Sequence, residues 1–245
     1  MEDILKSTKP LDLIKHGSLY FLLMNEADNK FSLPWMKEFN NLLDHIESDK
    51  GQPGALVTIG NSAKVFHTGF DLNQWKTNQL QQYESFAVCQ HLLSRLLTFP
   101  KPTMAVINGH CYAGGLFLAL AHDFRTMRAD YGFMCLSEIN LDFPIPEGYT
   151  DMLRATLPPN TLRELQYGGR YTAEKSKELQ LVQQVYKSRE EMWKQIQAYE
   201  KEYAPKGVYD ESLQDMKRNI YRDVYNRLQA TPLSLRGIRK VASMK

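Results

Sequence analysis

A chain of 245 residues, 43% hydrophobic and 24% charged, is long enough to bury a substantial core and ordinary in composition for a globular protein. Its formal net charge of +2 sets up no field that would imply nucleic acid or an anionic membrane as partner. No apolar run approaches the ~18 residues a membrane span needs, and three cysteines without CxxC or Cys/His spacing give neither a disulfide framework nor a metal site, which points to buried thiols in a reducing compartment.

The opening MEDILKSTKP has no apolar signal core and no Arg-rich amphipathic pattern, and the closing Ser-Met-Lys does not match a Ser-Lys-Leu address, so no targeting signal is legible. LYFLLM, Leu19–Met24, predicts a buried strand. Over residues 33–48, Met36, Phe39, Leu43 and Ile46 recur at helical spacing. GQPG at 51–54 breaks the chain, and ALVTIG at 55–60 predicts the next strand. Val88, Leu92 and Leu96, extending to Phe99, mark a second amphipathic helix, ended by Pro100-Lys101-Pro102. TMAVI at 103–107 predicts a third strand, closed by Asn108-Gly109; an apolar helix, LFLALA, follows, then strands at FRTMR and GFMCL. The second half reads as mainly helical. Ser188-Arg-Glu-Glu191 is a capping box ahead of Met192, Ile196 and Tyr199, and Thr231-Pro232 predicts a short basic terminal helix. This order implies an α/β core over residues 1–185 and a helical C-terminal region over 186–245.

Three segments carry possible chemistry. In KVFHTGFDL, residues 64–72, Gly69 permits a tight turn that lets the Phe70 N–H point into a cleft; a plain strand-to-loop turn reads the same way. In NGHCYAGGLFLALAHD, residues 108–123, Gly114 and Gly115 stand at the mouth of a helix. Unpaired N–H groups and a partial positive charge collect there, and a ligand oxygen meets no Cβ. Close packing of helix on strand is the competing explanation. In LSEINLDFPIPEG, residues 136–148, Glu138 lies between apolar neighbours after a strand. Desolvation there raises a carboxyl pKa toward neutrality, where it can shuttle protons, unless the side chain is exposed or salt-bridged.

FHTGFDL, followed some forty residues later by KPTMAVINGHCYAGGLFLALAHD and then by the SE-x4-F-P-I-P region, resembles the crotonase superfamily of enoyl-CoA hydratases and isomerases, from about residue 17 to 185. The FDL, LALAHD and SEI features most resemble Δ3,Δ2-enoyl-CoA isomerases of the short peroxisomal plant type. The resemblance implies a fold of repeated ββα turns, trimers or pairs of trimers, and C-terminal helices that serve oligomerisation and pack near the acyl-CoA site. It implies an acyl-CoA thioester as substrate, with coenzyme A part of that substrate, no separate cofactor and no metal, and a peroxisomal or mitochondrial matrix location. The Phe70 and Gly114 N–H groups take the positions of the family's oxyanion hole, and Glu138 that of its base. Lys64, His67, Thr68, Gly69 and Gly115 fall around the expected coenzyme A thioester. The first of the two hydratase glutamates falls at Phe117, which implies proton transfer within the substrate rather than addition of water.

Some positions depart from the pattern. Asp142 stands where related enzymes usually carry a small residue; a carboxylate close to Glu138 would raise the pKa of one of them and draw in water. Glu147 is a second candidate base. His67 and His110 flank the glycine segments, as acids, phosphate contacts or loop supports. Lys64 and the cluster Arg236, Arg239 and Lys240 suit coenzyme A phosphates or a solvated face. Cys111 has no visible activating partner, and Trp35, Trp75 and Trp193 suit core or interface packing. A catalytically weak or inactive crotonase-fold protein with a structural or assembly role is the alternative to an active isomerase.

Overall fold

The computed structural model describes residues 5–60, 64–75 and 79–230. Gly17, at φ +60°, turns a hairpin between β1 (Leu11–His16) and β2 (Leu19–Met24). The chain continues through α1 (Leu33–Ser48), β3 (Ala55–Gly60), β4 (Val65–His67), the single turn α2 (Leu72–Trp75) and α3 (Gln79–Leu97). Next come β5 (Thr103–Ile107), β6 (His110–Tyr112), α4 (Gly114–Leu120), β7 (Phe124–Arg128) and β8 (Met134–Cys135). A 3-10 turn at Glu138–Leu141 leads to α5 (Glu147–Thr156), α6 (Pro159–Leu165), α7 (Ala173–Glu178) and β9 (Gln184–Tyr186). The rest is α8 (Arg189–Tyr203), a 3-10 turn at Ala204–Val208, α9 (Asp210–Ile220) and α10 (Arg222–Ala230). The expected boundary at residue 185 falls inside β9, and the Thr231-Pro232 helix and the Arg236, Arg239 and Lys240 cluster lie outside the described residues.

Two sheets result. The larger has the order β1-β2-β3-β5-β7-β9 and is parallel except for the β1–β2 pair; the smaller, β4-β6-β8, is parallel throughout. After the β1–β2 hairpin, which lies wholly in the larger sheet, the successive strand pairs β3–β4, β5–β6 and β7–β8 send one strand to each sheet, the repeated-turn architecture the resemblance predicts. Both faces of the large sheet are buried, as its unbroken apolar strand runs require. Leu22, Met24, Leu56 and Ile107 face a core with α1, α3 and α4. Phe21, Val57 and Val106 pack on the other side against Met192, Trp193 and Ile196 of α8. Trp35 belongs to the first of these cores and Trp193 to the second; the Trp75 side chain lies outside those described.

The Ser188 cap forms as read: its hydroxyl accepts from the Glu191 N–H at 3.1 Å. The Glu191 carboxylate reaches one residue further back than the usual box, to the Lys187 N–H at 2.7 Å. GFMCL forms only the two-residue β8, and Phe99 is buried just past the end of α3. Two buried lysines fasten the C-terminal helices. Lys101 Nζ donates to the Asp49, Gln52 and Gly207 carbonyls at 3.0–3.2 Å. Lys217 Nζ of α9 reaches Asp123 Oδ2 at 2.6 Å, which also accepts from the Thr103 N–H. Among the described residues no helix is long and apolar enough to cross a membrane. Breaking a buried pair strands one charge, so Lys217→Met is expected to cost about 2–3 kcal/mol, read as a lower urea midpoint with an unchanged slope.

Candidate active site

The strands of the small sheet run parallel, so their C-terminal ends lie side by side, where ligands of such sheets gather. Each exit delivers one of the three segments singled out above: β4 leads into Thr68–Gly69–Phe70, β6 into Ala113–Gly114, and β8 into Leu136–Ser137–Glu138.

At the first exit Phe70 pairs with Phe31 in a one-residue parallel bridge: the Phe31 N–H donates to Gly69 O at 2.8 Å, and the Asp71 N–H to Phe31 O at 3.1 Å. A trans peptide points its N–H opposite to its C=O. Since the Gly69 carbonyl faces Phe31, the Phe70 N–H points away from Phe31; Phe70 and Gly114 both line one cavity. Gly69 takes φ +88°, which glycine adopts at little cost.

At the second exit Ala113 adopts φ 50°, ψ −121°, a conformation that costs a non-glycine residue on the order of 1–3 kcal/mol. Its N–H donates to the Cys135 carbonyl at 2.9 Å. Gly114 then opens α4, where the helix offers its N–H no internal acceptor. The two exits touch. A Cβ on Gly69 would lie 2.8 Å from the Gly114 nitrogen, and one on Gly114 would lie 3.1 Å from Gly69 Cα. A Cβ on Gly115 would run into the His67 carbonyl of β4. Close packing requires both glycines, since a Cβ on Gly114 would also meet Phe31 at 3.0 Å, and of the two only Gly114 lines the cavity.

At the third exit Glu138 begins a 3-10 turn. Its Oε2 is buried with no hydrogen-bond partner among the described residues, and burial pushes its pKa up to about 7. Asp142 plays no part in that shift. It is exposed, at φ 52°, and ends the turn in the left-handed region that favours glycine and tolerates Asp, which explains the expectation of a small residue there. Glu147 is also exposed, ion-paired to Arg227 at 3.2 Å, and does not line the cavity.

The cavity encloses about 120 Å³, a little under the roughly 150 Å³ that holds one benzene. Its walls are mostly apolar, and five of the lining residues are aromatic. Phe86 stands 4.7 Å from Phe70 and stacks on Phe143 at 6.1 Å, and Phe117 meets Tyr149 edge-on at 4.9 Å. Phe86, Phe143 and Tyr149 were not singled out in the sequence, because short aromatic spacing alone does not tell a cavity wall from core. Thr68 lines the cavity and holds the Asp28 carbonyl through its hydroxyl at 3.1 Å. Lys64 is exposed at the far end of β4, roughly 13 Å of strand from Thr68. His67 is fully buried beneath the turn, out of a ligand's reach, and burial pushes its pKa down to about 3. His110 bonds the Tyr112 hydroxyl at 2.8 Å, among Tyr131 and Phe133. Cys111 is buried, with its thiol pKa driven upward by burial, which removes it as a nucleophile.

A family model described as enoyl-CoA hydratase/isomerase matches residues 17–231, and the chain belongs to that family. Enoyl-CoA delta isomerase 2, peroxisomal, of Arabidopsis thaliana is 33% identical over 161 residues; the matched stretch spans 62% of this chain and 65% of that protein, just under two thirds of its length. The human mitochondrial Δ3-Δ2-enoyl-CoA isomerase structure superposes with a TM-score of 0.81 at 21% identity, covering 95% of this chain and 89% of that one. The enoyl-CoA hydratase EchA3 of Mycobacterium ulcerans Agy99 gives 0.80 at 20%, covering 95% and 98%. The fold is therefore the crotonase fold. One of these two neighbours is called an isomerase and the other a hydratase, so the fold does not choose between those reactions.

The Glu138 shift has a thermodynamic consequence. Between the ordinary glutamate value of 4.5 and about 7, the folded chain holds a proton that the unfolded chain has released. The stability due to this group is thus present at pH 4.5 and lost as the pH rises through 7. Glu138→Gln is expected to gain up to about 3 kcal/mol on the wild type between pH 4.5 and pH 8, read by urea denaturation at both. Parallel pH profiles for the two proteins would show that Glu138 is not desolvated.

Proposed function

We propose that this chain isomerises 3-enoyl-CoA to 2-enoyl-CoA. The observation that carries the reading is one largely buried carboxylate, Glu138, whose Oε2 has no hydrogen-bond partner among the described residues and which lines one cavity with Phe70 and Gly114, with Phe117 where a second acid would stand. The two N–H groups hold the thioester oxygen and bind it more tightly as charge gathers there. Glu138 takes a proton from C2, and the C–H electron pair spreads through C1 onto that oxygen as a dienolate. C4 then takes the proton back from Glu138. The double bond moves from C3=C4 to C2=C3, and no water enters. Aromatic walls keep the enolate from competing solvent and keep Glu138 basic enough to act near neutrality.

Two of the relatives named above, from Arabidopsis and human, are called peroxisomal and mitochondrial, which supports a matrix location in one of those organelles for this chain as well. We place coenzyme A itself outside the cavity as part of the substrate, and we expect trimers or pairs of trimers, as the family resemblance implies. The packing of α10 supports a role for the C-terminal helices near the site: a Cβ on Gly148, next to the cavity residue Tyr149, would meet Leu228 at 3.0 Å.

Incubation with a 3-enoyl-CoA is expected to give the absorbance of the conjugated thioester, and Glu138→Gln to lower kcat at least about a thousandfold, since among the described residues Glu138 is the only carboxylate lining the cavity. Full activity in Glu138→Gln refutes the base. Formation of 3-hydroxyacyl-CoA from a 2-enoyl-CoA at a comparable rate refutes the preference for isomerisation, and inactivity of the wild type favours an assembly role. The wild-type kcat/KM is expected to rise with pH through about 7 and then level, as Glu138 ionises. Gly69→Ala sets a methyl 2.8 Å from the Gly114 nitrogen at φ +88°. It is expected to cost about 10²–10³ in kcat, the loss of one donor, with circular dichroism showing the fold retained.

A further inference from the structure

We infer that His67 is the positioning residue of the oxyanion hole, its imidazole Nδ1 holding the Gly69 turn that aims the Phe70 N–H. The inference rests on the reading of Phe70 as a donor and adds to it the side chain that sets its direction. The Gly69 N–H donates to His67 Nδ1 at 3.0 Å, two residues back along the chain. On its other side the Gly69 carbonyl accepts from the Phe31 N–H at 2.8 Å. With both ends of Gly69 tied, the plane of the Gly69–Phe70 peptide is fixed, and so is the N–H it carries.

The ring is held as firmly as the turn it holds. It is fully buried, 4.1 Å from the Phe31 ring and 5.2 Å from Trp35 between centroids. Because Nδ1 accepts, the ring proton sits on Nε2, which has no hydrogen-bond partner among the described residues. A buried donor left unpaired costs about 1–3 kcal/mol, which a leucine of similar bulk would avoid. The histidine thus carries a cost that core packing does not explain and that its Nδ1 acceptor does. Burial keeps the ring neutral, which leaves Nδ1 its lone pair.

His67 also touches the other half of the hole. Its main-chain carbonyl abuts Gly115, and Phe31, on which its ring packs, would lie 3.0 Å from a Cβ on Gly114. One residue therefore sets both amides against each other. Nothing beyond the resting geometry is required of it, since neither ring nitrogen reaches the cavity.

Two measurements test this. In 15N-labelled protein without ligand, NMR is expected to resolve a two-bond coupling between the Gly69 amide nitrogen and His67 Nδ1; a visible Gly69 amide without it overturns the proposal. In kinetics with a 3-enoyl-CoA, His67→Leu is expected to lower kcat about 10–100-fold, short of full loss of a donor, with KM within about twofold. His67→Asn, whose side-chain oxygen can accept the same N–H in an Asx turn, is expected to stay within about fivefold of the wild type. An equal loss in both variants, or a loss carried by KM, overturns the positioning role. Should His67→Leu not fold, the coupling and the Asn variant still decide. A wild type that resolves the coupling but does not isomerise refutes the proposed function and leaves the His67–Gly69 tie standing.

Discussion

The site is built around one exclusion: no atom can be added between Gly69 and Gly114. A methyl on either would strike the backbone of the other at about 3 Å. Two turns from different ββα units are pressed together until only hydrogens separate them, and that contact puts Phe70 and Gly114 on one cavity. Much of the surrounding structure keeps the contact. The parallel small sheet brings the exits of β4 and β6 into line; Ala113 accepts an unfavourable backbone conformation to turn the chain into α4; and Gly115 lets that helix lie on the His67 carbonyl. Strain and missing side chains collect at this one place, as expected where backbone geometry does the chemical work.

The cavity then governs the acid. Among the described residues no cation holds Glu138 ionised, and its pKa rises through burial rather than through a second carboxylate. Dryness and basicity therefore have one cause: the rings of Phe86, Phe117, Phe143 and Tyr149 that exclude water also make the Glu138 carboxylate reluctant to remain charged. A more polar wall would stabilise the fold and weaken the base together, the usual trade between stability and activity at a functional site.

Legibility in the sequence followed burial. Strands buried on both faces, such as ALVTIG and TMAVI, announce themselves as apolar runs, and the spacing of Met36, Phe39, Leu43 and Ile46 gives α1. Two of the strands that carry the site do not: β4 and β6 are three residues long, too short to show a period, while β8 keeps only two residues of the strand expected at GFMCL. The large sheet's edge strand β1, half exposed and mixed in composition, also left no readable pattern. Gly114 and Glu138 could be singled out because glycine at a helix mouth and a glutamate amid apolar residues are both locally costly. Asp142 shows where sequence distance misleads. Four residues from Glu138 suggested two interacting carboxylates, but the left-handed turn at Asp142 sends its side chain to solvent. His67 was legible as a residue near the site and not as one beneath it, because chain proximity does not say which side of a turn a ring occupies.

When the oxyanion donors are main-chain groups, they are common to every sequence that can form the turns, and the reaction must be chosen by side chains on the remaining walls. Phe117 is the decisive one. It lies one turn along α4 from Gly114 and faces the same cavity as Glu138. A carboxylate there would share a low-dielectric space with Glu138, and one of the pair would stay protonated, ready to bind and orient a water. The phenyl ring removes the partner that would hold the water and closes edge-on against Tyr149. Under the proposed reading, Glu138 is then left with a single proton and two carbons of the same substrate between which to move it, and isomerisation is what one base in a dry pocket can do.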